Sequence, residues 1–326
     1  MNRISKLRKI VWFIDDSINF LLLVILLILL TFGCYSLWDS NQIYSAASSV
    51  QYEIYKPSEE DSLSFQELEK INPDVLGWIT VYGTGIDYPL VQGEDNWEYL
   101  NKDADGSYSL AGSIFLDSAN AKDFSDYNTL IHGHHMEASA MFGDITNFDD
   151  KDFFEKHQYG NLFVNGRNYG IVFFAYMLVD AYDGNIYRSP IVNEDKQMEY
   201  LQHLQSEAMH LRTASQAEAE KIILLSTCSN GMTNGRNILV GYLTEQVYEN
   251  EFVVEEAEKE IKTLDQTNGW KEFEKIPLWI WMLLLLIFLI LVRIVFDRIS
   301  KKKRLERAIR MQSDNVKGNE DEQSQS

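Results

Sequence analysis

Long apolar segments near both ends of the chain enclose a stretch in which apolar residues recur in short runs. Residues 17–38 and 276–292 contain no charged residue, and about 20 apolar residues in a helix cross the hydrocarbon core of a membrane. Eight short runs between them are rich in Ile, Val, Tyr and Phe and are bounded by Gly, Asn or Asp: 77–81, 86–91, 113–116, 128–132, 161–164, 169–179, 221–227 and 237–243. The pattern predicts a mainly β domain, a barrel or a sandwich, flanked by two transmembrane helices.

Helical patterns lie beside the strand-like runs. Residues 194–211 place apolar side chains three or four positions apart, which predicts a surface helix docked on the sheet. Weak spacing of Leu63, Leu68 and Ile71 predicts a helix at the end of an acidic stalk. The predicted organisation is a basic tail (1–16), a membrane helix (17–38), a stalk with its helix (39–70), a β domain (71–248), a charged linker helix (249–275), a second membrane helix (276–296) and a tail (297–326).

Basic residues cluster outside the two apolar segments. Arg3 and Lys6 belong to a basic group before the first segment, and 301–304 is a basic run after the second. Because lysine and arginine concentrate on the cytoplasmic side, both ends are predicted inside and the β domain outside. Arg293 is expected to extend its guanidinium to the interface. A cleaved signal peptide is the alternative for 17–38, although that run exceeds the roughly 7 to 15 residues of a signal core.

The net charge of -20 comes from the middle of the chain, because both ends are basic. An acidic domain repels the phosphates of nucleic acids, so no nucleic acid partner is expected. The partner that the two uncharged apolar segments predict is the membrane.

Two cysteines occur in the chain, and only one of them falls in the β domain. Cys34 lies in the first apolar segment, which leaves Cys228 without a partner in its own domain. Thiols outside the cell normally pair, so a lone one is either a tolerated buried residue or a nucleophile. The sequence leaves both interpretations open.

Cys228 ends a buried-strand pattern, and Arg236 opens the next strand after a short loop. If the two strands form a hairpin, these residues face one another across its mouth with backbones about 5 Å apart. The alternative is a surface arginine beside a buried cysteine.

Three histidines lie at the end of the strand at 128–132 and directly after it: His132, His134 and His135. A zinc site would need further ligands at suitable spacing, and the domain has no second cysteine, so no metal or other cofactor is predicted. A packing histidine is the alternative. A cysteine and a histidine at the ends of different strands, with an arginine nearby, form an arrangement suited to acyl transfer.

Seven short motifs in order make the middle domain resemble a class B sortase. They are NPDVLGWI (72–79), IDYPLVQ (86–92), DNWEYL (95–100), GSIFLD (112–117), GHHM (133–136), MFG (141–143) and LSTC (225–228), with Arg236 downstream. The resemblance implies an eight-stranded sortase barrel, anchored in the membrane and facing the cell wall of a Gram-positive bacterium.

The resemblance also implies roles for single residues. Cys228 matches the nucleophile, His134 the catalytic histidine and Arg236 the arginine that stabilises the oxyanion together with the Ser229 amide. The substrate-binding positions are matched by Asn96, Leu100, Ser226, Thr227 and Ser229. His132 stands where the family commonly has tyrosine, so an assisting role of His132 or His135 stays open.

The implied activity is that of a cysteine transpeptidase. Such an enzyme cleaves a C-terminal sorting signal after threonine, holds the surface or pilin protein as a thioester on Cys228, and passes it to an amine of peptidoglycan or to a pilin lysine. A second membrane segment is more typical of pilus-building sortases, and the sorting motif and oligomeric state stay open. The alternatives are a membrane-anchored cysteine endopeptidase that hydrolyses peptides and a non-catalytic anchored binding module.

Overall fold

The computed structural model describes residues 2–57, 63–137, 139–212, 220–229 and 233–253, and residues 288, 290, 292–296, 298, 299, 301 and 306. Contacts divide the chain into two units, residues 1–34 with 260–326 and residues 35–259. Most of the predicted linker helix 249–275 and of the predicted second membrane helix 276–296 lies outside the described residues.

Helix α1 (Asn2–Ala46) contains the whole of the first apolar segment. One 18-residue window in it has a mean hydropathy of 2.7, and no side chain of that window is buried against protein. Leu26 and Leu29, for example, are exposed. By length and composition α1 can cross a membrane, and it is the one such helix within the described ranges.

Within the described part of residues 35–259, eight strands close into a barrel. This part contains nine strands, eight of them in the barrel: β1 (Val75–Val81), β2 (Asp87–Val91), β3 (Ile114–Leu116), β4 (Asn128–His132), β5 (Tyr159–Val164), β6 (Arg167–Asp180), β7 (His210–Leu211), β8 (Ile222–Cys228) and β9 (Gly235–Thr244). Their hydrogen-bonded order is β5-β1-β2-β3-β4-β8-β9-β6, and β6 pairs with β5 to close the ring, while β7 adds to β6 outside it. The pairs β2–β3 and β4–β8 are parallel. The predicted eight-stranded barrel is confirmed.

The side chains of β8 show how the core is arranged. Ile223 and Leu225 point into the barrel, where they join its main hydrophobic cluster. Ile222 and Leu224 point outward and are covered in a second cluster that includes residues of helix α4 (Glu194–Glu207). Because both faces are covered, β8 is a continuous apolar run instead of an alternating one.

Helix α4 ends earlier than the predicted range 194–211. Its last residue is Glu207, and Ala208 is extended, with φ -68° and ψ 127°. The Met209 amide then donates to the Tyr176 carbonyl at 2.8 Å, which draws the next residues onto β6 as β7. The edge of β6 offers unpaired backbone groups, and pairing with them outweighs the helical pattern of side chains.

Part of the predicted stalk packs on the barrel. A 3-10 helix (Ser49–Tyr55) buries Tyr52, and the Tyr88 hydroxyl donates to the Ala47 carbonyl at 2.8 Å. Helix α2 (Leu63–Ile71) buries Leu68 together with Phe65. Leu63 and Ile71, which defined the predicted apolar face, are exposed. Leu68, the third residue of the spacing that predicted this helix, is buried, so the helix packs on the barrel.

Two further helical segments and α3 complete the described domain. They are 3-10 helices at Glu98–Leu100 and Gly143–Asp149 and helix α3 (Lys151–Lys156). The first of them follows β2 and runs beside the end of β4, where the candidate site lies.

Candidate active site

Cys228 and Arg236 are register partners at the open end of the β8–β9 hairpin. Side chains directly opposite one another in an antiparallel pair share a face, with β carbons about 5 Å apart. The Cys228 thiol is exposed. The Nη1 of Arg236 donates to the Gly235 carbonyl at 3.1 Å. The predicted hairpin is therefore present, and it puts a permanent cation beside an exposed thiol.

The strand on the other side of β8 brings a histidine to the same level. Strand β4 pairs with β8 in parallel, and His132 is the register partner of Ser226. The Gly133 amide continues the contact by donating to the Ser226 carbonyl at 3.2 Å. His134 lies two residues beyond the end of β4, as Cys228 lies two residues beyond Ser226 on β8. Neighbouring strands lie about 4.8 Å apart, and β4 and β9 are the two neighbours of β8, so the topology brings His134 and Arg236 to the same end of the barrel as Cys228.

The imidazole of His134 is held by a backbone carbonyl. Its Nε2 lies 2.9 Å from the Leu100 oxygen, and a carbonyl can only accept, so Nε2 carries the proton and Nδ1 is left for the reaction. Gly112 packs behind the ring with φ +63°, and a β carbon there would lie 3.0 Å from Cδ2 of His134 and 2.7 Å from the Leu100 oxygen. Only glycine leaves this space.

The Ser229 amide is not free to stabilise an oxyanion in this conformation. It donates to the Gly235 carbonyl at 2.9 Å and closes the hairpin. The amide that is expected to bind an oxyanion together with Arg236 thus donates within the hairpin in this structure. Arg236 keeps further N–H donors beyond the one on Gly235, because a guanidinium has five.

His132 and His135 have surroundings different from those of His134. The Nε2 of His132 donates to Oδ2 of Asp117 at 3.0 Å, while His135 forms an isolated bridge with Met141. The rings of His132 and His134 have separate partners, whereas the buried Nδ1 of His135 has no hydrogen-bond partner among the described residues. Within the described ranges no three His, Cys, Asp or Glu side chains are grouped to hold a metal ion.

Three of the five residues expected to bind substrate are occupied or covered. Asn96 donates from Nδ2 to Asp117 at 2.8 Å and accepts from the Ser118 amide at 2.7 Å. Ser226 and Thr227 are 3% and 2% exposed, so both lie below the surface. Leu100 is half-buried and contributes its carbonyl to His134. Asn96 and Leu100 thus contact Asp117 and His134.

Tyr187 is a neighbour of the site that sequence reasoning missed. Its hydroxyl lies 2.9 Å from Oγ of Ser226. Burial raises the pKa of Tyr187 to about 12, although the Ser226 hydrogen bond and the positive charge of Arg236 act in the opposite direction. The phenol therefore stays protonated and holds Ser226. It lies in the loop between β6 and α4, and no motif marks that loop.

The arrangement is suited to covalent acyl transfer. An exposed thiol can attack a carbonyl carbon, an imidazole beside it can move protons at Nδ1, and a guanidinium on the opposite side can bind the developing negative charge.

Comparison with known proteins finds similarity to sortase B proteins and to structures of class B sortases. No family model matches the chain. The chain is 33% identical over 181 residues to Sortase B of Listeria monocytogenes, covering 55% of this chain and 73% of that protein. The crystal structure of a Streptococcus pyogenes class B sortase involved in pilus biogenesis is 39% identical, with TM-score 0.50, over 55% of this chain and 97% of the other. A mutant form of Clostridium perfringens sortase B is 29% identical, with TM-score 0.55, over 59% and 94%.

Proposed function

This chain belongs to the class B sortases, which are cysteine transpeptidases, and on that premise we propose that Cys228 is its nucleophile, His134 its acid and base, and Arg236 its oxyanion-binding cation. The observation that supports this assignment best is the strand register. Cys228 pairs with Arg236 on β9, and the parallel pairing of β4 with β8 carries His134 to its other side.

The first half-reaction forms a thioester. The Cys228 thiolate attacks the carbonyl carbon of the threonine in a sorting signal, and the carbonyl oxygen becomes negative within reach of Arg236. The C–N bond to the following residue then breaks, and His134 gives a proton to the departing amine. The N-terminal part of the substrate stays bound to Sγ of Cys228.

The second half-reaction returns the enzyme to its starting state. A primary amine attacks the thioester carbonyl, His134 takes a proton from that amine, and the new amide forms as the Cys228 thiolate leaves. Sorting-signal proteins and amine acceptors are the partners of this family. We propose that the acceptor here is an amine of peptidoglycan or a pilin lysine; the involvement of the Streptococcus pyogenes relative in pilus biogenesis supports testing the second.

Two membrane spans with both termini in the cytoplasm and the barrel outside form the proposed topology. Phe20 lies near the start of the predicted span 17–38, and Arg293 lies near the end of the predicted span 276–296. The Arg293 guanidinium carbon is 4.5 Å from the centre of the Phe20 ring, which is the geometry of a cation–π contact. Contact between the start of one span and the end of the other supports antiparallel spans with both tails on one side.

The test uses the full chain in detergent micelles with Leu-Pro-x-Thr-Gly and Asn-Pro-x-Thr peptides, with and without an added primary amine. Mass spectrometry should detect a thioester on Cys228 and an amide product that appears only with the amine. Cys228→Ala should abolish both products, whereas Cys34→Ala in the first span should keep them. An acid product that added amine does not divert would identify a hydrolytic endopeptidase instead. Peptide binding without turnover, unaffected by Cys228→Ala, would identify a binding module.

A further inference from the structure

His132 lies directly under the proposed site and contacts residues from both of its sides. Its ring centre is 5.3 Å from that of Phe115, and it stacks on Tyr187 with centres 6.4 Å apart and planes 19° from parallel. Tyr187 in turn bonds to Ser226, the register partner of His132. The ring therefore fills the space between the barrel and the loop that precedes α4.

The Nε2 of His132 is hydrogen-bonded to a carboxylate. It donates to Oδ2 of Asp117 at 3.0 Å, and the two side chains are 21% and 16% exposed. The same oxygen accepts from Nδ2 of Asn96 at 2.8 Å, and Oδ1 of Asp117 accepts from the Ala119 amide at 2.9 Å. A half-buried pair with several hydrogen bonds is geometrically well defined.

Asn96 connects this pair to the segment that orients His134. Its Oδ1 accepts from the Ser118 amide at 2.7 Å, so both ends of the amide are fixed. The chain then turns into the 3-10 helix Glu98–Leu100, and the Leu100 carbonyl accepts from Nε2 of His134 at 2.9 Å. Two hydrogen bonds thus connect His132 through Asp117 to Asn96, and the chain from Asn96 to Leu100 leads on to the imidazole of His134.

We propose that His132 is a positioning residue of this enzyme: through Asp117 and Asn96 it fixes the Leu100 carbonyl and hence the orientation of His134. This inference rests on the proposed function, since it assigns the network a task in acyl transfer. His132 itself touches neither substrate nor thiol. Its contribution is the placement of Nδ1 of His134, on which both half-reactions depend.

Two substitutions separate the hydrogen bond from the ring. His132→Phe keeps a ring against Phe115 and Tyr187 but removes the donor to Asp117. His132→Gln removes the ring but keeps an N–H at a similar reach. Because small misplacements of a catalytic group are costly, His132→Phe should lose at least about tenfold in kcat, with KM changed by no more than about twofold. His132→Gln should retain most of the wild-type kcat.

A double-mutant cycle tests the path. Asp117→Asn keeps an oxygen for the Ala119 amide but removes the charge, and it should lower kcat about as much as His132→Phe does. The double variant should be no slower than either single one, because both remove the same link. His210→Gln is the matched control, because the Nε2 of His210 also has a hydrogen-bond partner, the Asp149 carbonyl at 2.7 Å, and it should keep the wild-type kcat.

A second measurement does not depend on turnover. In the full chain with 15N-labelled histidines, NMR should find the proton of neutral His134 on Nε2, and His132→Phe should shift this toward a mixture of the two tautomers. Wild-type kcat in His132→Phe, or an unchanged His134 tautomer, overturns the positioning role. Equal losses in the Phe and Gln variants that follow only their melting temperatures also overturn it. A wild-type chain without transpeptidase activity refutes the proposed function, and the positioning role is then decided by the tautomer.

Discussion

A β carbon on Gly112 would lie 3.0 Å from Cδ2 of His134. The close approach lets the loop before β3 support the imidazole from behind while the Leu100 carbonyl holds its Nε2. The imidazole of His134 is therefore held from two directions.

We expect Gly112→Ala to impair catalysis more than stability. The added methyl group meets His134 and the Leu100 oxygen, so kcat should fall by about tenfold or more. Positive φ adds roughly 1–2 kcal/mol of strain. Gly166→Ala is the matched control, because Gly166 has φ +71° with nothing within 4 Å of the added carbon. Equal kinetics for the two variants, measured with peptide and amine, would contradict a role for this packing.

Arg236→Lys should reduce turnover by about a hundredfold while leaving the fold intact, because lysine replaces several fixed donors by one flexible charge. Steady-state kinetics and thermal unfolding measure the two effects separately. Arg167→Lys at the exposed start of β6 is the control. Near-normal turnover in Arg236→Lys would refute the role assigned to the guanidinium.

Asp117 should make stability dependent on pH in the acid range. Burial raises the pKa of its carboxyl, but hydrogen bonds from His132, the Ala119 amide and Asn96 outweigh burial and leave the pKa below its usual value. A lowered pKa contributes stability above the unfolded value of about 3.9, and this contribution is lost as pH falls through the folded value.

Asp117→Asn should therefore destabilise the protein most above about pH 5, by about 1.5–3 kcal/mol if a charge-assisted hydrogen bond is lost. The difference from wild type should shrink below about pH 4. Urea unfolding at a series of pH values measures it, with Asp152→Asn on the exposed side of α3 as the control. A difference that is constant across this range would contradict the prediction.

Phe252 should affect stability alone. Its ring stacks on His157 with centres 4.7 Å apart and planes 8° from parallel, away from the residues proposed for catalysis. Phe252→Ala should lower the free energy of unfolding by about 1 kcal/mol and leave kcat/KM unchanged. Val253→Ala, at an exposed neighbour, should change neither quantity. A kinetic effect of Phe252→Ala would show that the chain after β9 communicates with the site.

The sequence predicted the barrel strands well, because each run is apolar, short and bounded by turn residues. Cys228 and Arg236 could be paired for a similar reason, since a short loop between two strands defines a hairpin register. The predicted end of α4 was wrong, because pairing with β6 decided it. This effect is not visible in local spacing.

The support around the site was harder to predict than its reactive groups. The hydrogen bond of the Ser229 amide to Gly235 depends on the loop conformation. Tyr187 reaches Ser226 only because its loop folds back over β8. The hydrogen bond between His132 and Asp117 joins the end of β4 to the residue after β3, and these strands become neighbours only in the folded sheet. Such contacts depend on the closed barrel, and no single motif encodes them.

The parallel pairing of β4 with β8 means that the chain must bring together distant segments before it can react. In an unfolded chain Cys228 therefore has none of the neighbours that the proposed chemistry needs. The proposed site forms only when long-range assembly is complete. A break in the turn at Gly166 would separate the imidazole from the sulfur, leaving two inert fragments that regain reactivity only by joining.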